Sequence, residues 1–260
     1  MSPAHAGEHG DQCRHLHHAW GHDLKPLLPN KVRGVPRVDD RRVISGIVHV
    51  LKSGCRWVDA PQEYGPRKTL YNRFVRWAAK GVWRDIFLAL ADAGGPPSQA
   101  LIDSSAVRAH RSAAGGKGGS SCKMSRSRGG LTTKIHAITD RLCRPIRFIL
   151  TGGHVPDCVA AESLLGMLPS QVDVVQGDKG YDSNAIRLQI EAAGAAPNIP
   201  PKSNRRYKPG FSPALYRDRN AVERMFGRLK DFRRIGTRYD RRADVYLSAV
   251  CLAATVSYWL

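Results

Sequence analysis

The chain is predicted to be a mixed α/β protein in which a small helical segment precedes a mixed sheet flanked by helices. Three observations point there. The hydrophobic period changes from helical to alternating after Gly94-Gly95-Pro96-Pro97. Three strand-like stretches then follow in a row, and beyond them helix and strand alternate. The hydrophobic fraction of 42% over 260 residues is ordinary for a globular protein and large enough for a substantial core.

Residues 1–23, rich in His and without apolar periodicity, read as a loose tail. From Asp39 to Leu51, DDRRVISGIVHVL opens with acids and repeats Val43, Ile47, Val50 and Leu51 at helical spacing. After Ser53-Gly54, a short helix around Pro61 to Tyr64 meets a Gly-Pro turn. A second helix then runs from Lys68 to Lys80. Its apolar residues are Leu70, Phe74 and Trp77, while Arg67, Lys68, Arg73 and Arg76 lie on or beside its other faces. A packing face with a basic helix beside it is the pattern of a helix-turn-helix whose second helix enters a major groove. A plain helical bundle with a solvated basic face fits the same residues. Residues 24–93 are read as this helical, DNA-binding domain.

Residues 98–260 form the second domain. Ala100 to Val107, Lys134 to Asp140 and Arg144 to Thr151 read as strands, with a Gly-, Ser- and Lys-rich loop from Ala113 to Ser127 between the first two. A helix from Val159 to Leu168 follows, then a strand from Val172 to Asp178, a helix from Asn184 to Ala193 and a short strand from Pro197 to Pro200. Two helices close the chain: a long one between Ala214 and Ile235, and a buried one from Val245 onward.

Charge narrows the function. Lys and Arg total 41 against 22 Asp and Glu, a formal net charge of +19. Such a surface repels itself and calls for a polyanionic partner, nucleic acid first. No Lys-faced amphipathic helix supports a membrane instead, and the apolar run from Val245 to Leu260 is too short to span one. No signal peptide is visible, and the six cysteines form no C-x-x-C pair, which disfavours zinc and disulfides and fits a reducing cytoplasm.

Three acids stand where a cation would be welcome. Asp103 interrupts an apolar strand, Asp178 ends the strand VDVVQGD, and Glu223 lies inside the long helix. A carboxylate buried in a sheet is costly unless protonated, paired or metal-bound. At about 100° per residue, Tyr216, Arg219, Glu223 and Lys230 fall on one stripe of that helix, apart from the core side of Val222, Met225, Phe226, Leu229 and Phe232. An i,i+4 salt bridge accounts for Arg219 with Glu223 but not for the whole stripe.

These residues carry a resemblance. Tyr216-x-x-Arg219-x-x-x-Glu223-x-x-x-x-x-x-Lys230 matches, without a gap, the Y-R-E-K signature of insertion-sequence transposases of the DDE type, in the group that includes the insertion-sequence-five family. LIDSSAVRAH at Leu101 to His110, SRGGLTTKIHA at Ser127 to Ala137, DKGYD at Asp178 to Asp182 and RRIGTRYDR at Arg233 to Arg241 are similar to the same family. So are LLPNKVRGVPRVDDRRV, SGCRW and YGPRKTLYNRFVRW in the first domain. The His-rich segment through His22 departs from the family, where a short apolar helix is expected.

The resemblance implies an RNase H-like core with helices on both faces. It implies that Asp103, Asp178 and Glu223 converge as catalytic metal ligands on two Mg²⁺ or Mn²⁺ ions, and that the partner is double-stranded DNA, both the terminal inverted repeats and the target. Arg219 and Lys230 would bind phosphate near the scissile bond, and Tyr216 would position a base or the backbone. Lys202, Arg205 and Arg206, in the strip up to Lys208, would hold flanking DNA. A homodimer or higher oligomer on DNA and a nucleoid-associated place in a bacterial cytoplasm follow from the same likeness. A decayed or regulatory DNA-binding protein and an RNase H-like nuclease that cuts without joining fit the same residues. Asp182→Asn, in the turn with Asp178, is expected to affect cutting and joining much less than loss of Asp103, Asp178 or Glu223, and Arg73→Glu to weaken binding to the specific end more than it disturbs folding.

Overall fold

An acid at its start and a glycine past its end set the limits of the first long helix. The Asp39 carboxylate accepts from the backbone N–H groups of Arg41 and Arg42, and Gly54 closes the helix in the left-handed region at φ 74°. A computed structural model describes residues 24–29, 37, 39–114 and 122–260. The tail expected over residues 1–23 lies outside the described residues, as does much of the loop between the first two strands.

Two compact units partition the chain. The first takes Met1–Leu90 together with Leu229–Gly236 and Asp244–Leu260. It contains α1 (Asp40–Ser53), α2 (Arg67–Ala79) and most of α3 (Val82–Ala93). The apolar spacing of α1 buries Val43, Ile44, Ile47, Val50 and Leu51, and that of α2 buries Leu70, Phe74 and Trp77. Gly46 is needed between them: a Cβ there would lie 2.5 Å from Tyr64 Cβ and 3.0 Å from the Leu70 methyls. Trp83 of α3 fills the space beside α2, its ring tilted against Trp77 with centroids 5.1 Å apart and its indole N–H donating to the Phe74 carbonyl at 3.0 Å.

The second unit, Ala91–Arg228 with Thr237–Ala243, holds the sheet. Its strands are β1 (Gln99–Ala109), β2 (Ser125–Ser127), β3 (Gly130–Asp140), β4 (Pro145–Gly152), β5 (Val174–Gln176), β6 (Ala196–Asn198) and β7 (Thr237–Arg238). β3 pairs antiparallel with β1 on one side and with β4 and the short β2 on the other. β5 and β7 pair parallel with β1, and β6 parallel with β5. Three antiparallel strands followed by two parallel ones, β4-β3-β1-β5-β6, is the RNase H-like arrangement. Helices α5 (Asp157–Leu165) and α6 (Asn184–Ala192) follow β4 and β5. Ile102, Ile138, Leu164, Val175, Ile186 and Ile190 share one buried apolar cluster with Tyr181. A four-residue helix, α4 (Arg111–Ala114), follows β1.

Two expectations are corrected. β5 stops at Gln176 rather than Asp178, because Asp178 turns out of the sheet to cap a 3₁₀ turn at Lys179–Tyr181, accepting the Gly180 N–H at 2.8 Å. The long helix expected over 214–235 is segmented into α7 (Pro213–Tyr216), a 3₁₀ turn at Arg217–Arg219, α8 (Asn220–Lys230) and α9 (Arg233–Gly236). Asp218 and Asn220 sit at the first break, where short polar side chains compete for the backbone and weaken the helix. The apolar C-terminal run forms α10 (Ala243–Ala254) and a π turn at Thr255–Trp259, with Val245, Ala249, Val250 and Leu252 buried. Among the described residues no helix is long and apolar enough to cross a membrane.

Candidate active site

Alternation along β1 sends Leu101, Asp103 and Ser105 to one face of the sheet and Ile102 and Ser104 to the other. Asp103 is thereby held beside two fully buried residues, Leu101 and Ile102. Its Oδ1 accepts the Ser104 N–H at 2.7 Å, and its Oδ2 accepts from an Arg219 nitrogen at 3.0 Å. A second Arg219 nitrogen donates to Glu223 Oε1 at 2.6 Å. One guanidinium therefore bridges an acid on the central strand and an acid on α8.

Burial pushes the Asp103 carboxyl up to about 6; the Ser104 N–H and Arg219 pull against that rise, and the negative charges of Asp178 and Glu223 add to it. The Asp103 carboxyl thus feels the charges of Asp178 and Glu223. Tyr216 joins them: its ring lies 5.8 Å from the Arg219 guanidinium carbon. Burial raises its phenol above the ordinary range, against the pull of Arg219. Desolvation works against the Arg219 charge, but Asp103, Tyr216 and Glu223 outweigh it and hold the guanidinium above its ordinary value. Lys230 ends α8 and belongs to the other compact unit; burial holds its ammonium below the ordinary range.

Among the described residues no three His, Cys, Asp or Glu side chains form a ready cluster for a metal ion. At this site Arg219 bridges Asp103 and Glu223. The donor set still suits a hard cation, being three carboxylates, and a positive group already bridges two of them. The residues present fit a divalent ion.

The other candidates sort by their partners. Lys202, Arg205 and Arg206 lie in one strip after β6. Arg205 is not free, pairing with Asp182 at 2.6 Å and with Asn184 at 2.8 Å. Asp182 itself is buried and accepts from Arg187 at 2.9 Å and from the Lys202 N–H at 2.8 Å. Burial pushes its carboxyl up, but the Lys202 N–H, Arg205 and Arg187 outweigh this and hold it below the usual range. The Asp182 carboxylate is thus held by structural partners of its own. In the first unit, Arg67, Lys68 and Arg76 are exposed. A groove of about 530 Å³ is lined by Arg37, Lys68, Arg76 and Lys80, with Arg73 and Trp77. Arg73 is half-buried, ion-paired with Asp40 and 5.0 Å over the Trp77 ring. Charge reversal there would break the pair with Asp40 as well as remove a cation from the groove.

Sequence reasoning does not anticipate the polar group behind Asp103: Ser104, Lys134, His136, Asp157 and Tyr181. A signal for it is present in the stretches LIDSSAVRAH and SRGGLTTKIHA, whose polar residues alternate with buried apolar ones.

Comparison with known proteins bears on the whole second unit. Residues 94–256 match the family model described as transposase DDE domain. The chain belongs to that family. Residues 19–87 match a second model, described as "Putative transposase of IS4/5 family". The chain is 34% identical over 131 residues to a "Putative transposase for insertion sequence element IS6501" of Brucella ovis, covering 50% of this chain and 99% of that protein. It is 32% identical over 137 residues to a "Putative transposase for insertion sequence element IS402" of Burkholderia cepacia, covering 49% of this chain and 63% of that protein. A piggyBac transposase synaptic complex with hairpin DNA is similar at TM-score 0.49 and 11% identity, over 90% of this chain and 69% of that one. The assignment rests on the family match and not on this distant likeness. As a DDE transposase, the protein is an enzyme that acts on DNA, and membership of the family carries a general dependence on divalent metal.

Proposed function

We propose that this transposase holds two Mg²⁺ or Mn²⁺ ions with Asp103, Asp178 and Glu223, cuts phosphodiester bonds at the ends of an insertion sequence, and joins the freed 3′ ends to target DNA. The observation that carries the reading is the bridge from Arg219 to Asp103 and Glu223, in a site where Asp178 adds a third negative charge. Bound there, the ions would supply Lewis acidity to the attacking and leaving oxygens of an in-line displacement.

The protein's own groups do the rest. Asp103 is fixed by the sheet and Glu223 by α8, so the carboxylates are oriented before DNA arrives. Arg219 carries a charge that its acid neighbours reinforce, and it serves the phosphate oxygens beside the scissile bond, while Lys230 binds a phosphate of its own. Tyr216 keeps its proton because burial disfavours the phenolate, and it donates a hydrogen bond to the sugar-phosphate backbone. Lys202 and Arg206 grip flanking phosphates, and the exposed Arg67, Lys68 and Arg76 on and beside α2 take the inverted-repeat end. Joining two ends calls for a homodimer or higher oligomer on DNA.

A duplex bearing the element's own terminal repeat, incubated with Mg²⁺ and scored for nicking and joining, tests the reading. Asp103→Ala, Asp178→Ala and Glu223→Gln are each expected to abolish both reactions while DNA binding persists. Robust cutting by any of the three variants breaks the proposed site. Nicking without joining by the unaltered protein makes it a nuclease.

A further inference from the structure

We propose that Lys134, Asp157 and Ser104 form a bracket on the far face of the sheet that positions Asp103, with the buried His136 behind it. The inference rests on the reading of Asp103 as a metal ligand.

The chain of contacts begins at Ser104. Its backbone N–H holds Asp103 Oδ1, while its hydroxyl, directed to the opposite face, donates to Asp157 Oδ1 at 2.7 Å. Asp157 is the first residue of α5, and the same oxygen accepts from Lys134 Nζ at 3.0 Å. Lys134 is anchored in turn on the Val155 carbonyl at 2.9 Å. Strand register places these groups side by side, with Ser104 opposite His136 and Ala106 opposite Lys134.

His136 backs the group. It is fully buried, with Nε2 2.8 Å from Thr151 Oγ1. Its Nδ1, without a hydrogen-bond partner, lies 3.9 Å from Asp157 Oδ1. Partly buried ion pairs of this kind contribute little net stability, and apolar side chains would fill the space as well. What the bracket supplies is angular restraint on the residue that follows Asp103. Lys134, Asp157 and Ser104 are positioning residues and touch no substrate.

The test uses the full chain, its own terminal-repeat duplex, and Mn²⁺ binding measured by electron paramagnetic resonance. Lys134→Met and Ser104→Ala are each expected to lower turnover at saturating DNA by about 10- to 100-fold, as loss of support behind a metal ligand does. Mn²⁺ affinity should weaken in parallel, KM for DNA should hold, and Lys134→Arg should recover most of the turnover. The proposal is overturned if turnover and Mn²⁺ affinity survive, if the loss falls on KM for DNA, or if it follows the melting temperature and vanishes on cooling. Asp103→Asn separates the two levels of the claim: a variant that still turns over defeats the metal-site reading whatever the bracket variants do.

Discussion

Arg219 donates to Asp103 Oδ2 at 3.0 Å across 116 residues of sequence, and it is through this one contact that α8 and the central strand share a charge. On the proposed reading of Asp103 and Glu223 as metal ligands, the guanidinium and a divalent ion would compete for the same oxygens. Removing the competitor should tighten ion binding even as phosphate binding suffers. In Arg219→Gln, Mg²⁺ should raise the melting temperature more than it does in the unaltered protein, at matched ionic strength. Turnover should fall at the same time. An equal or smaller Mg²⁺ shift would show that Arg219 and the ion do not contend for one place.

The acid range holds two opposed effects. The Asp103 carboxyl is raised from 3.8 to about 6, so between those values the folded state binds more protons than the unfolded chain and stability falls as pH rises. His136 is lowered from 6.5 to about 4, chiefly by burial, so in nearly the same window stability rises with pH. The shifts are similar in size and should largely cancel in the metal-free protein. Each should emerge when the other is removed. Asp103→Asn should gain stability from pH 4 to 6.5, and His136→Gln should lose it from pH 4 to 6. Denaturant titrations across that range give both slopes; two variants sloping the same way would refute the assignment.

Asp182 serves the fold. Its carboxylate is wholly enclosed and ties the strip after β6 to α6 through Arg205 and Arg187. Asp182→Asn should cost about 3–5 kcal/mol, the usual penalty for stripping one partner from a buried pair. Urea unfolding measures it. A variant as stable as the parent but inactive would move Asp182 into the catalytic site.

Binding by the first unit should separate from its folding by choice of cation. Lys68→Glu and Arg76→Glu are expected to weaken binding to the terminal repeat. Each should also reduce the log–log salt slope by about 1 for every phosphate that is no longer neutralised. Arg73→Glu, which breaks the pair with Asp40, should instead lower the melting temperature. Unchanged binding by both exposed variants would take α2 out of the interface.

Much of this architecture is legible in the residues because the forces involved are local. β1, β3 and β4 announce themselves through apolar residues alternating with polar ones, and Asp103 stands out as a charge where the pattern asks for a hydrophobe. α1 is bounded by its own cap, Asp39, and its own stop, Gly54. The segmented stretch after Pro213 reads as one helix because the 3.6-residue period survives a 3₁₀ turn too short to shift it visibly. Arg219 still reaches Glu223, four residues on, across that break. What cannot be read is pairing at a distance. Arg238, fully buried, donates to the carbonyls of Cys122 and Lys123 and to the Thr133 hydroxyl, more than a hundred residues away. Nothing in the neighbourhood of Arg238 distinguishes it from the exposed arginines beside it.

The first compact unit is closed by residues from far along the chain. Arg234 reaches the Cys55 carbonyl at 3.0 Å and lies over the Trp57 ring. Tyr246 donates to the Ile235 carbonyl at 2.8 Å, and α10 shares a groove with Ala78, Gly81 and Arg84. On the ribosome, the helices synthesised first must wait for the codons of α9 and α10 before their core is sealed. A nonsense mutation between Glu223 and α9 would therefore spare Asp103, Asp178 and Glu223 and yet leave the opening helices unfinished. On the proposed reading of α2 as the end-binding helix, a copy truncated there would lose its grip on DNA through a stretch of gene distant from that helix.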